Sequence, residues 1–101
     1  MKYEIAPKLT EAYIKNWDDA RLYCFSLNID GKTGWRLPTK EELNEVYKSN
    51  HDFEAWSYWS STERGGIHIW VQHFGNITNG DYLNKVTDGI YIRAIRDLKA
   101  N

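Results

Sequence analysis

Cysteine is almost absent from this chain: Cys24 is the only one among 101 residues, so no internal disulfide can form. A reducing compartment, the cytoplasm, is therefore the simpler expectation, and an extracellular location is the alternative. No apolar run approaches the roughly 20 residues that a membrane-spanning helix needs. Residues 1–5 also lack the apolar segment of a signal peptide. We expect a protein that does not enter a membrane.

Neither positive nor negative charge predominates in the chain. Thirteen basic residues are balanced by fourteen acidic ones, the net charge is −1, and neither sign forms a run. A nucleic-acid-binding surface needs concentrated basic residues to neutralise phosphates. The sequence therefore predicts no nucleic-acid partner.

Patterns typical of metal sites are missing as well. His68 and His73 lie five residues apart in a predicted strand, so they point to opposite faces, and His51 stands alone. Side-chain oxygens occur in the turn-rich stretch at Asn76, Asn79, Asp81 and Asp88. Turn chemistry explains the Asn-Gly and Asp-Gly pairs there without an ion. We predict no metal and no other cofactor.

Aromatic residues, by contrast, are abundant. They make up 15% of the chain, with five Trp and seven Tyr, and they supply the area that a small core needs. The length suits one domain, and no linker or repeat interrupts it. The sequence predicts a single domain over residues 1–101.

Two helices are expected in the first half of the chain. Asn16 is a candidate N-cap for a helix over about residues 17–27, with Asp18 and Asp19 in the first turn. Thr39 followed by Glu42 forms a capping box, which predicts a second helix over about residues 40–49. Pro38 keeps the residues before this cap extended.

The second half has the period of strands. Residues 57–62 and 67–74 are rich in aromatic and β-branched residues and flank a Gly-Gly turn, which predicts an antiparallel pair. Residues 89–96 predict the last strand and residues 3–9 a short first strand, whereas residues 76–84 are turn-rich with a brief strand at Ile77 and Thr78. Helices followed by strands predict an α+β fold, two helices packed on a twisted antiparallel sheet.

The chain resembles the collagen-like-protein C-terminal domain family, which has a C-type-lectin-like fold, over about residues 16–97. Four landmarks carry the resemblance: residues 17–20 with Cys24, residues 34–39 with Glu42 and Leu43, residues 58–62, and residues 91–96. The Trp-Arg-Leu-Pro-Thr segment at 35–39 is also similar to an element of formylglycine-generating enzymes. The resemblance implies that the two termini meet in one sheet and that the middle loops vary.

One departure from this family concerns a disulfide. Related sequences carry a cysteine in the last strand that can pair with the one in the first helix, and this chain has Ala94 there. Such a bond would contribute roughly 2–4 kcal/mol. Its absence fits a protein that works where the bond cannot form. No stalk or anchor accompanies the domain, so we expect it to act alone.

Seven residues are predicted to be structural: Trp17, Trp35, Arg36, Thr39, Glu42, Trp59 and Arg93. The two arginines sit between aromatic residues, and a buried arginine needs carboxylate or carbonyl partners. Carboxylates are available at Asp18, Asp19, Glu42 and Asp97. An anion clamp is the alternative role for these arginines.

Recognition is predicted to lie on the surface between Trp59 and Asp88. Its candidate contact residues are Arg64, His68, Trp70, Gln72, Asn79, Asp81 and Tyr82. Trp70 shares a predicted strand face with His68, Gln72 and Phe74, and such a face suits stacking on a sugar or packing against a protein. A second face covered by other elements fits the same pattern.

The sequence favours a non-catalytic binding module with a protein partner. A phage or mobile-element protein acting on a host factor suits its Lys-, Asn- and Ile-rich composition. A glycan-binding adhesion module is the first alternative. A residual enzyme related to formylglycine-generating enzymes is the second, but those enzymes need a late cysteine pair, and Ser60 and Ser61 have no recognisable base. We therefore predict that the protein is not an enzyme.

Overall fold

The computed structural model describes residues 2–49, 52–75 and 79–98. His51, Asn76 and the strand expected at Ile77 and Thr78 lie outside these residues. The helices within them are α1 (Trp17–Ser26), α2 (Lys40–Lys48) and a 3₁₀ turn at Lys8–Thr10. The strands are β1 (Tyr3–Ile5), β2 (Ala12–Tyr13), β3 (Trp35–Arg36), β4 (Ser57–Arg64), β5 (His68–His73), β6 (Asn79–Asn84), β7 (Ile90–Ile92) and β8 (Ile95–Asp97).

The strands form two sheets. The larger has the order β2-β7-β4-β5-β6, and the smaller has the order β1-β8-β3. β1 pairs antiparallel with β8, so the first and last strands meet in one sheet as the family resemblance implied. The pairing of β4 with β7 is parallel, so the larger sheet is mixed. The predicted α+β class is confirmed, with one parallel pair that the sequence did not indicate.

Both helices begin at the predicted N-caps. The Asn16 side chain accepts a hydrogen bond from the Asp19 amide at 3.2 Å. At α2 the Thr39 hydroxyl accepts from the Glu42 amide at 3.1 Å, and the Glu42 carboxylate accepts from the Thr39 amide at 2.8 Å. This reciprocal pair is the predicted capping box. No helix in the described ranges is long and apolar enough to cross a membrane.

The two helices pack on opposite sides of β4. Trp59 is buried in a cluster with Trp17 and Cys24 of α1. The neighbouring residue, Tyr58, is buried in a second cluster with Leu43 and Val46 of α2. Because successive strand residues face opposite sides, the larger sheet is covered on both faces near β4. The cover ends toward β6, whose six residues are all exposed or half-buried.

Four predictions about the strand regions need correction. The first strand, expected over residues 3–9, ends at Ile5 and is followed by the 3₁₀ turn at Lys8–Thr10. Residues 79–84 are turn-rich in sequence but form β6, which pairs with β5 along its whole length. The single strand expected at 89–96 is two strands, separated at Arg93 and Ala94. Phe74, expected beside Trp70 on a face open to a ligand, is 6% exposed and packs in the α2 cluster.

Cys24 behaves as a small apolar core residue. It is fully buried beside α1's other core residues, in the same cluster as Ala94. Burial raises the pKa of its thiol to about 12. Cys24 is therefore a protonated thiol at neutral pH, with little tendency to react in the folded protein.

Candidate functional site

Arg36 is committed to internal ion pairs. Its guanidinium donates two hydrogen bonds of 2.9 Å to the two carboxylate oxygens of Glu42 and one of 2.7 Å to Asp97. Both are among the four carboxylates that the sequence analysis names as candidate partners of the two arginines. Because Asp97 ends β8 and Glu42 belongs to the α2 cap, Arg36 ties β3 to both elements.

Arg93 is buried, with 2% of the residue exposed. It donates to the Ala6 carbonyl at 2.6 Å, to Glu11 at 3.0 Å and to Asp52 at 2.7 Å. Its carboxylate partners, Glu11 and Asp52, are therefore not among the four carboxylates predicted to pair with the arginines. Tyr58 also donates to Glu11, at 2.9 Å. Both guanidiniums are thus engaged by groups of their own chain, an arrangement that favours the predicted structural role over an anion clamp.

Three landmark tryptophans lie in the core. Trp17, Trp35 and Trp59 are at most 2% exposed. Each indole N–H donates to a backbone carbonyl: Trp17 to Ser60 at 2.9 Å, Trp35 to Lys32 at 3.0 Å and Trp59 to Ile14 at 2.6 Å. Their hydrogen-bonding capacity is fully used inside the protein.

The strand register divides the candidate contact residues between two faces. Arg64 pairs with His68, Trp70 with Tyr82, and Gln72 with Gly80, so these positions share one face of the β4–β5–β6 sheet. Asn79 pairs with His73 and Asp81 with Val71, which places them on the other face. The seven candidates therefore do not form one site.

Gln72, one of the seven candidate contact residues, is buried. It is 1% exposed, because α2 covers this part of the face. Its side chain accepts from the Trp70 indole at 3.1 Å and donates to Asn44 of α2 at 3.0 Å. The prediction that Gln72 contacts a partner is wrong, and the residue instead positions Trp70.

Three of the remaining candidates on this face and one residue of α2 form a compact group, which we call the cation–aromatic patch: Arg64, Trp70 and Tyr82 with Lys40. His68 pairs with Arg64 and lies outside this group. The Trp70 and Tyr82 rings meet edge to face, 5.3 Å between centroids. The Lys40 ammonium lies 4.0 Å from the centroid of the Trp70 ring. The Arg64 guanidinium lies 4.2 Å from the centroid of the Tyr82 ring. Two cations thus rest on two neighbouring rings, within the distance of cation–π attraction.

Trp70 is held in place from two sides. Gly80 leaves room for its ring, since a Cβ at that position would lie 2.4 Å from Trp70 Cζ2. The hydrogen bonds through Gln72 to Asn44 fix the indole relative to α2. The Trp70 ring is therefore held in place before any partner binds, which lowers the entropic cost of binding to it.

Lys40 was not identified from the sequence. It is the first residue of α2, and its amide donates to the Thr62 hydroxyl of β4 at 2.9 Å. This bond fixes the start of the helix beside the sheet and brings the lysine over Trp70. Only the three-dimensional packing of α2 on β4 and β5 shows this proximity.

A second exposed aromatic surface lies at the β2 edge of the sheet. Trp56 is 38% exposed and stacks on Tyr91, 4.2 Å between centroids. Tyr13 meets Tyr91 edge to face at 5.2 Å, and Leu9 is exposed beside them. The sequence gives no signal for this surface, because it brings together three separate segments of the chain.

Ser60 and Ser61, the two serines considered as nucleophiles, make hydrogen bonds within the fold. The Ser60 hydroxyl is buried, donates to the Trp70 carbonyl at 2.7 Å and accepts from the Thr62 amide at 3.0 Å. The amide of Ser61 donates to the Pro38 carbonyl at 2.8 Å. Within the described ranges, no three His, Cys, Asp or Glu residues are grouped to hold a metal ion.

Comparison with known proteins gives the family. The sequence matches the model of the Lcl C-terminal domain over residues 4–96. The chain belongs to the Lcl C-terminal domain family. The family predicted from the four sequence landmarks is thus confirmed, and the match includes both helices and all four landmarks. No curated protein matches the chain by sequence. Membership of the C-type-lectin-like superfamily stays a prediction.

Proposed function

We propose that this Lcl C-terminal domain is a non-catalytic module that binds a protein partner through the cation–aromatic patch. The observation that supports it most is the patch itself, in which an exposed Arg contacts a half-buried Tyr that in turn meets a half-buried Trp. These are the residue types that contribute most to binding at protein interfaces. Of the predicted surface between Trp59 and Asp88, the described residues that share the patch face, such as His68 and Asn84, provide the rim of the interface.

The contacts within the patch favour a protein over a sugar. A sugar would stack on the Trp70 ring, but Lys40 already lies over that ring and Gly80 packs against it. The exposed groups are the Arg64 guanidinium and the Tyr82 ring beneath it, which suit polar and charged side chains. A location inside cells fits the buried Cys24 thiol, and the phage or mobile-element origin is an extension of the same proposal.

Affinity capture from the source organism tests this function. The wild-type domain is compared with Arg64→Ala/Tyr82→Ala and with the control Arg21→Ala/Phe25→Ala, which removes the same two kinds of side chain from exposed positions on α1. We expect the control to retain the captured protein and the patch variant to lose it. Equal capture by both variants would contradict the proposal.

Glycan binding is the second candidate, and the Trp56 surface favours it. Sugar rings stack on exposed aromatic faces, and Trp56, which is 38% exposed and stacks on Tyr91, lies at the sheet edge. The Lys8 ammonium is 5.9 Å from the centroid of the Trp56 ring, farther than Lys40 is from Trp70. A glycan array probed with the wild-type domain and with Trp56→Ala tests this role. Binding that is lost in Trp56→Ala and kept in Arg64→Ala would support it, and an array without binding would remove it.

A further inference from the structure

Arg64 differs from every other arginine in the chain. The other four each pair with a carboxylate: Arg21 with Asp18, Arg36 with Glu42, Arg93 with Glu11 and Arg96 with Glu4. Arg64 makes no ion pair with any carboxylate of the described residues, and its guanidinium rests on Tyr82. Because the planar guanidinium binds carboxylates through paired N–H donors, Arg64 offers donors that no carboxylate of the described residues uses.

Lys40 is unpaired in the same way. It occupies the first position of α2, where the helix dipole disfavours a cation. It makes no ion pair within the described part of the chain, although Glu41 and Glu42 follow it directly, and its ammonium lies over Trp70 instead. The two cations therefore lie on the two contacting rings.

The face around these cations carries no acidic side chain at its described strand positions. The positions that share it are Tyr58, Arg64, His68, Trp70, Gln72, Gly80, Tyr82 and Asn84. The acidic neighbours in sequence, Glu63 and Asp81, alternate to the opposite face. Arg64 is therefore the acidic-partner candidate among the described strand positions of this face, and Lys40 of α2 adds a second cation beside it.

We propose that the protein partner binds the cation–aromatic patch with an acidic segment, whose Asp or Glu carboxylates pair with Arg64 and Lys40. This inference rests on the proposed function and names the chemistry of its partner. The Tyr82 and Trp70 rings contact the apolar parts of that segment and limit the access of water to the ion pairs. The complementarity of charge sets the orientation of the partner and speeds its association.

Titration with two short peptides tests the inference. One peptide alternates Glu with Ser, and the other replaces each Glu by Gln; both are followed by the ¹H–¹⁵N signals of the backbone and of the Trp70 indole. We expect the Glu peptide to bind about tenfold more tightly at about 20 mM salt, and the difference to shrink at about 200 mM as screening increases.

Matched variants locate the effect. Arg64→Gln and Lys40→Gln should each weaken binding of the Glu peptide about three- to fivefold. Arg21→Gln and Lys48→Gln make the same charge changes outside the patch, and Lys48 lies at the other end of α2. These two controls should leave the affinity within twofold.

The outcomes separate this inference from the proposed function. Absence of binding, equal binding of the two peptides, or equal loss in the controls would overturn the acidic segment. Stronger, patch-dependent binding of a sulfated oligosaccharide would also overturn it and assign the patch to a glycan. If affinity capture still depends on Arg64 and Tyr82 in the first three cases, the protein-binding function stands and only the chemistry of the partner is wrong.

Discussion

Arg36 and Glu42 face each other through two parallel hydrogen bonds of 2.9 Å, guanidinium to carboxylate. The same carboxylate accepts from the Thr39 amide and so completes the N-cap of α2. One side chain therefore joins a sheet arginine to a helix start. This arrangement explains why the landmark Trp-Arg-Leu-Pro-Thr and the glutamate that follows it belong to the scaffold.

Thr39→Ala removes one half of the capping box. The Glu42 amide loses its hydroxyl partner, so the free energy of unfolding should fall by about 1 kcal/mol. Urea unfolding monitored by tryptophan fluorescence measures the change. Thr33→Ala is the control, because Thr33 is exposed in the loop before β3. An unfolding free energy equal to that of the control would show that the cap contributes nothing.

The free energy of unfolding should decrease in acid, partly because the carboxylates that pair with Arg36 become protonated. Burial, the largest single influence on the Glu42 pKa, raises it, but hydrogen bonds from Arg36 and Thr39 outweigh burial, and the pKa is lowered from its ordinary 4.5. A hydrogen bond from Arg36 lowers the pKa of Asp97 from 3.8. The unfolded chain therefore binds more protons, so this contribution is complete above about pH 5 and is lost as the pH falls through the folded values.

Arg36→Met tests this pH dependence. The variant should be less stable than the wild type at pH 7, and the difference between them should shrink as the pH falls from 5 to 3, measured by urea unfolding at each pH. Arg21→Met removes an exposed ion pair with Asp18. In this control, the free energy of unfolding should depend on pH as it does in the wild type. A constant difference between Arg36→Met and the wild type would contradict the role of Arg36.

Arg93→Met should destabilise the protein more than Thr39→Ala does. It leaves the largely buried Glu11 carboxylate without its arginine and removes a donor from the Ala6 carbonyl. We expect a loss of about 3–5 kcal/mol, as for a broken buried ion pair. Adding Glu11→Gln to Arg93→Met should restore part of the loss. A loss below about 1 kcal/mol, typical of a surface pair, would contradict this account.

The local structure of the first half could be predicted from the sequence. The N-caps at Asn16 and Thr39 are short-range signals, and both helices begin where these residues place them. β6 could not be predicted in the same way. Its Asn, Gly and Asp residues favour turns, and the strand forms because its backbone pairs with β5 over six residues. Pairing with the preceding strand prevailed over local preference.

The candidate site was only partly predictable for a similar reason. Alternation placed Trp70, Gln72 and Phe74 on one strand face correctly, but it could not show that α2 covers the part near Gln72 and Phe74. Lys40 belongs to another element and was missed. The partners of Arg93 were missed because Glu11 and Asp52 come from segments without a periodic pattern.

Gly80→Ala should displace the Trp70 ring of the cation–aromatic patch. The added methyl would meet the Trp70 ring and the backbone carbonyl of Val71, at 2.4 and 2.6 Å before any movement. We expect a loss of about 1–3 kcal/mol and a shifted Trp70 indole signal. Asn79→Ala, at the preceding exposed position, should change neither. An unchanged indole signal in Gly80→Ala would show that the ring does not rest on this glycine.

Asn84 and Asn79 offer the most direct test of where recognition occurs. They are exposed residues of the same type at the two ends of β6; Asn84 shares the face of Tyr82 and Arg64, and Asn79 points to the other face. A photo-crosslinking amino acid is placed at each position in turn, and the domain is irradiated in cells of the source organism. We predict that position 84 crosslinks to a partner protein and position 79 does not. Crosslinking from position 79 alone would contradict recognition through the cation–aromatic patch.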